Sequence, residues 1–96
     1  MARGQVRAGM TNVATGQYLD IQPTSPEEWT IHNIYHEGSI EIHWYDGTNS
    51  CLAAQEIGAG IYAYQAFHCT NQYRIRVKNT EASSKLIGYD GILTYV

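Results

Sequence analysis

Apolar side chains recur at every second position in several short runs of this chain. No window carries a sustained helical stripe, so the periodicity predicts β-strands throughout. The clearest run is Trp29-Thr30-Ile31-His32-Asn33-Ile34-Tyr35-His36, followed after Glu37-Gly38 by Ser39-Ile40-Glu41-Ile42-His43-Trp44-Tyr45 and closed by Asp46-Gly47. Two such runs separated by a short turn containing glycine predict a hairpin. An even loop gathers Trp29, Ile31, Asn33, Tyr35, Ile40, Ile42 and Trp44 on a core face. Thr30, His32, Ile34, His36, Glu41, His43 and Tyr45 then share the opposite face. An odd loop would slip the register by one and set His43 among the apolar set, which alternation disfavours.

The same texture predicts strands at Gln5–Ala8, Gln17–Gln22, Ser50–Gln55, Ile61–Cys69, Gln72–Lys78, Lys85–Tyr89 and Ile92–Tyr95. Breaks fall at Pro23-Thr24-Ser25-Pro26, Asp46-Gly47-Thr48-Asn49, Gly58-Ala59-Gly60, Asn79 to Ser84 and Asp90-Gly91. Glycine, proline and small polar residues at these places supply turn chemistry. None is long enough to link two domains, so residues 1–96 are expected to form a single domain. About eight to nine short strands predict an all-β fold, an antiparallel β-sandwich or jelly-roll-like barrel. Tyr73-Arg74-Ile75-Arg76-Val77-Lys78 alternates strictly, with Tyr73, Ile75 and Val77 inward and three cations outward. Such cations serve as an anion patch or as a solvated face that discourages pairing between sheet edges.

A chain of 96 residues can build one core and leaves little room for a deep cleft. Its 44% hydrophobic content argues for a folded domain over a disordered tail. Six basic against nine acidic side chains give a formal charge of −3, so nucleic acid is not an expected partner. No apolar run approaches the length of a membrane span or follows the N-terminal charges as in a signal peptide. Cys51 and Cys69 are the only cysteines, and they read either as two small core residues or as one disulfide. Pairing them would stabilise the domain by about 3 kcal/mol and would require an oxidising compartment.

Candidate chemistry is sparse. The hairpin register brings His32, His43, Glu41 and His36 to one face, and imidazole with carboxylate is an appropriate ligand set for zinc. A polar outer face is the competing reading, since no spacing of the HExxH type is present. Glu27-Glu28 follows Pro26 at a turn and reads as its solvated shoulder, not as a facing carboxylate pair. Gly58-Ala59-Gly60 precedes no helix and so reads as a turn, not a phosphate cradle. No catalytic residue and no cofactor are expected. Eight tyrosines and two tryptophans are the remaining signal. Tyrosine joins an apolar body to a polar tip, which suits interfaces and sugar-binding surfaces. Tyr62 and Tyr64, on one strand face with Ala66 and His68, and Tyr45 on the hairpin are candidate contact residues.

Two stretches carry a resemblance. Gly16-Gln17-Tyr18-Leu19-Asp20-Ile21-Gln22-Pro23 leads through Pro26-Glu27-Glu28-Trp29 into Ile31-His32-Asn33-Ile34. Arg76-Val77-Lys78-Asn79-Thr80 leads through Ser83-Ser84 to Gly88-Tyr89-Asp90-Gly91. Together they resemble small β-rich proteins encoded among phage virion genes. The resemblance implies a structural protein of the virion, a capsid decoration or cementing protein or a tail or fibre component. It would bind capsid or other virion proteins and further copies of itself, use no catalytic residues, and be released by host lysis without a signal peptide. A small carbohydrate-binding module with a Trp or Tyr platform is the alternative, and a metal-binding protein using the histidine-rich face is the third reading.

Overall fold

The computed structural model describes residues 3–95, which form nine strands and no helix. The first sheet contains β1 (Val6–Val13), β9 (Lys85–Tyr95), β3 (Glu28–His36) and β6 (Gly60–Tyr62) in that order, with β7 (Phe67–Cys69) also paired to β3. The second runs β2 (Tyr18–Ile21), β8 (Arg74–Asn79), β4 (Ile40–Tyr45) and β5 (Ser50–Glu56). Every pairing is antiparallel, and the two sheets enclose one core, so the fold is a β-sandwich.

Seven isoleucines, at positions 21, 31, 34, 40, 42, 75 and 87, dominate that core with Val13, Val77, Tyr62, Phe67 and Cys69. A β-branched side chain has few rotamers to lose on a pleated surface, which is why isoleucine fills facing sheets well. Fully burying one such side chain contributes about 1.5–3 kcal/mol.

The expected hairpin between residues 29 and 45 is not formed. β3 pairs with β9, β6 and β7, whereas β4 pairs with β8 and β5. Glu37-Gly38 is the crossing from one sheet to the other. Glu37 N donates to Leu86 O at 3.0 Å on the first sheet, and Ser39 N donates to a carboxylate oxygen of Glu81 at 2.7 Å beside the second. Both strands send isoleucines into the same core, but from facing layers. Only β4 and β5 are consecutive strands paired as neighbours. Their turn is the expected Asp46-Gly47, with Gly47 at φ 99° and Asp46 Oδ1 accepting from Thr48 N (2.9 Å) and Asn49 N (2.6 Å).

Two expected faces are also corrected. β3 carries a register shift between Ile31 and Asn33, where His32 is the extra residue. Past this bulge the alternation inverts, so Ile34 and His36 are buried while Asn33 and Tyr35 turn outward. The predicted strand Ile61–Cys69 is broken at residues 63–66, which resets its phase and buries both Tyr62 and Phe67. Conversely, β9 runs without interruption through Asp90-Gly91, where a turn was expected. Gly91 marks a close crossing of backbones. A Cβ there would run into the Thr30 carbonyl oxygen and lie 2.8 Å from Ile31 Cα.

Asn79, at the end of β8, is fully buried and joins three segments. Its Nδ2 donates to Val13 O (2.8 Å) and Ser83 O (2.9 Å), and its Oδ1 accepts from Glu81 N (2.8 Å). Its backbone pairs with Gly16 N and Gln17 O. One side chain thereby satisfies polar groups of the β1–β2 and β8–β9 connections that would otherwise lack partners.

Candidate functional site

The four residues of the proposed metal cluster go to three places. His43 and Glu41 lie on the outer face of the second sheet, His43 Nε2 being 3.0 Å from Glu41 Oε1. That hydrogen bond is the main cause of a lowered Glu41 pKa. His32 projects to solvent from the bulge of the first sheet. His36 points inward, its Nδ1 lying 3.0 Å from Gly38 O and 2.8 Å from Gly58 O, while its Nε2 is buried without a partner. Among the described residues no three His, Cys, Asp or Glu side chains are placed to share an ion. The cluster depended on the β3–β4 pairing and is lost with it.

The cysteines do not pair. Cys51 is an exposed thiol on β5, and Cys69 is a buried thiol on β7. Burial pushes the Cys69 thiol up to about 11, so it stays protonated and unreactive at neutral pH. Of the tyrosines expected at a contact, Tyr62 is 7% exposed and packs on Phe67, so it is a core residue. Tyr64 is 79% exposed, with its ring edge-on to Tyr62 at 5.3 Å. Trp29 stacks on Tyr89 and Trp44 on Tyr73. Tyr73 is 46% exposed where an inward position was expected, because it caps Trp44 at the rim.

Glu27 is not a solvated shoulder. Its carboxylate accepts from Arg7 Nε at 3.1 Å and Trp29 Nε1 at 2.9 Å, and these bonds, led by Arg7, lower its pKa. A shallow depression of about 340 Å3 lies beside it, lined by Glu28, Thr70, Asn71, Gln72 and Tyr95 among others.

Two outer faces remain. On the second sheet, the Arg76 guanidinium lies between the rings of Tyr18 (4.0 Å) and Tyr45 (4.4 Å), and Arg74 sits 4.8 Å from the Tyr45 ring. His43 meets Tyr18 edge-on at 5.8 Å, and Asp20 pairs with Arg76 at 3.0 Å. Tyr45 thus belongs to a surface, as the alternation of its strand predicted, but it is one packed with cations.

The outer face of the first sheet is apolar at its margins. Val6 (65% exposed), Met10 (63%), Ile61 (55%) and Leu86 (43%) surround a polar centre. There Asp90 accepts from Asn33 Nδ2 at 2.8 Å and from the Tyr35 hydroxyl at 2.5 Å. The hydrogen bond to Asp90 is the main reason the Tyr35 pKa is raised, so the phenol keeps its proton and holds the carboxylate in place. Register brings these residues together: Met10 lies opposite Gly88, which lies opposite Tyr35, which lies opposite Ile61. Sequence reasoning missed this face because it ended the first strand at Ala8. The Val6, Ala8, Met10 alternation, continued two residues further, is the signal that marks it.

No family model and no curated protein sequence matches the chain.

Proposed function

We propose that this protein is a non-enzymatic assembly module that docks on another protein through the outer face of its first sheet. The observation that carries the reading is the grouping of Val6, Met10, Ile61 and Leu86, all exposed, on one sheet face around the fixed carboxylate of Asp90. Isolated exposed apolar residues are ordinary, but several on one sheet face favour burial against a partner. A charged group already held by two neighbours adds orientation without the cost of ordering a mobile side chain.

The setting we propose is the phage virion, with the chain acting as a capsid decoration or cementing protein that binds the shell and, at high local density, other copies. The resemblance of its two strand-and-turn stretches to small virion proteins supports this setting. Binding to shells assembled from the major capsid protein encoded with this gene tests it by co-sedimentation. The wild type is expected to saturate the shells at a fixed ratio. Met10→Glu and Ile61→Glu are expected to remain in the supernatant while melting as the wild type does. Wild-type protein that stays in the supernatant at every ratio overturns the proposal, as do variants that bind unchanged.

A further inference from the structure

The cations of β8 call for an explanation separate from that surface. Three of the six basic residues of a chain with formal charge −3 stand in one row, at Arg74, Arg76 and Lys78. Outward lysines and arginines commonly protect an exposed sheet edge from pairing. From Ile75 to Lys78, β8 lies between β2 and β4, so edge protection does not account for Arg76 and Lys78. Nor do they form a loosely solvated fringe. The Arg76 side chain is 24% exposed, held between the faces of Tyr18 and Tyr45 and tied to Asp20. Ordered cations of this kind lose little freedom when they meet an anion.

Two acids, Asp20 and Glu41, share the face with the three cations. Asp20 is committed to Arg76. Glu41 stands opposite Lys78, whose charge helps to lower its pKa, while its oxygens accept from His43 and Gln55. Among the described residues no carboxylate is within ion-pair distance of Arg74 or Lys78. Arg74 donates through Nη1 to the carbonyls of Asn71 and Gln72, and its Nε has no acceptor.

We infer that the outer face of the second sheet binds an extended acidic peptide segment whose carboxylates fall at alternate positions. The spacing sets the match: alternate residues of a strand are about 6.7 Å apart, and an extended partner running along β8 has the same repeat. Glutamates or aspartates at every second position then meet Arg74, Arg76 and Lys78 in turn. Single-stranded nucleic acid has a comparable phosphate repeat, but it gains affinity by stacking bases on open aromatic faces. Here the Tyr18 and Tyr45 faces are occupied by guanidinium and offer no open ring to a base, so the peptide is favoured.

Fluorescence anisotropy with the full chain tests this inference, using a labelled peptide of alternating Glu and Thr. A peptide of the same composition with its glutamates in one block, and an oligothymidylate, serve as competing probes. The alternating peptide is expected to bind about tenfold more tightly than the block peptide, and to weaken as salt is raised. Lys78→Glu is expected to abolish binding, and Lys78→Gln to weaken it, with far-UV circular dichroism unchanged. Equal affinity for the two peptides, tighter binding of the oligothymidylate, or binding unaffected by Lys78→Gln overturns the inference. So does the absence of any binding at low salt. None of these outcomes touches the proposal for the first sheet, whose residues lie on the opposite side of the sandwich.

Discussion

Replacing Asn79 by alanine removes three side-chain hydrogen bonds at once and strands their partners: Val13 O, Ser83 O and Glu81 N. A buried group left unsatisfied costs about 1–3 kcal/mol. Taking about 2 kcal/mol for the buried bond to Val13 and about 1 for each of the part-buried bonds gives a loss of about 4 kcal/mol. A domain of this size has an unfolding entropy of about 0.2 kcal/mol/K, so the melting temperature should fall by about 20 °C. Asn79→Asp is a sharper version. It keeps the shape and the Oδ1 acceptor, but at neutral pH it sets a carboxylate against the carbonyls of Val13 and Ser83, so it should cost more than alanine. Facing two acceptors while buried, that carboxyl has its folded-state pKa raised, and the penalty is full above the folded pKa. It shrinks as pH falls through that value, because the protonated acid can donate again. Urea denaturation of the three proteins at neutral and acidic pH measures both effects. A loss below about 1 kcal/mol for Asn79→Ala would refute the role assigned to this residue. An Asn79→Asp variant as stable as Asn79→Ala at neutral pH would refute the donor assignment.

Gly91→Ala should separate β9 from β3 or force the crossing apart, costing several times the usual effect of a surface substitution, which is within about 0.5 kcal/mol. Loss of dispersed amide resonances in the proton–nitrogen NMR spectrum reads this, and a fully folded variant would contradict the close-crossing explanation. With a disulfide-exchange reagent under native conditions, one thiol, Cys51, should react promptly. Cys69 should react only in denaturant, and prompt reaction of both would show that β7 is not packed as described.

Class and core were legible because alternation reports burial directly. Ile40, Ile42, Ile75 and Val77 were expected inside and are buried. Pairing was not legible, because two strands that share a core look the same in sequence whether they are neighbours in one sheet or face each other across two. β3 and β4 took the second arrangement, and the histidine cluster depended on the first. The face of Asn33 and Tyr35 was lost at a bulge, whose only trace is the glycine of the opposing strand. On β9, Leu86 and Ile87, and likewise Ile92 and Leu93, are adjacent apolar pairs, so hydropathy alone does not say which member turns outward. The cationic row was visible in outline, since Arg74, Arg76 and Lys78 alternate with Ile75 and Val77. What the sequence lacked was the position of β8 inside its sheet, which changes the meaning of those charges.

The strand order also bears on synthesis. Of the nine strands β9 is made last, yet it lies between β1 and β3 and so joins the two earliest strands of the first sheet. Until it has left the ribosome, β1 has no partner in its sheet, and β3 has only the short β6 and β7. Assembly of the first sheet therefore waits for the ninth strand and then proceeds through contacts between distant segments, a topology associated with folding in milliseconds to seconds rather than microseconds. During that interval the nascent chain exposes its isoleucine-rich strands, and the burden of keeping them apart falls on the cell's chaperones.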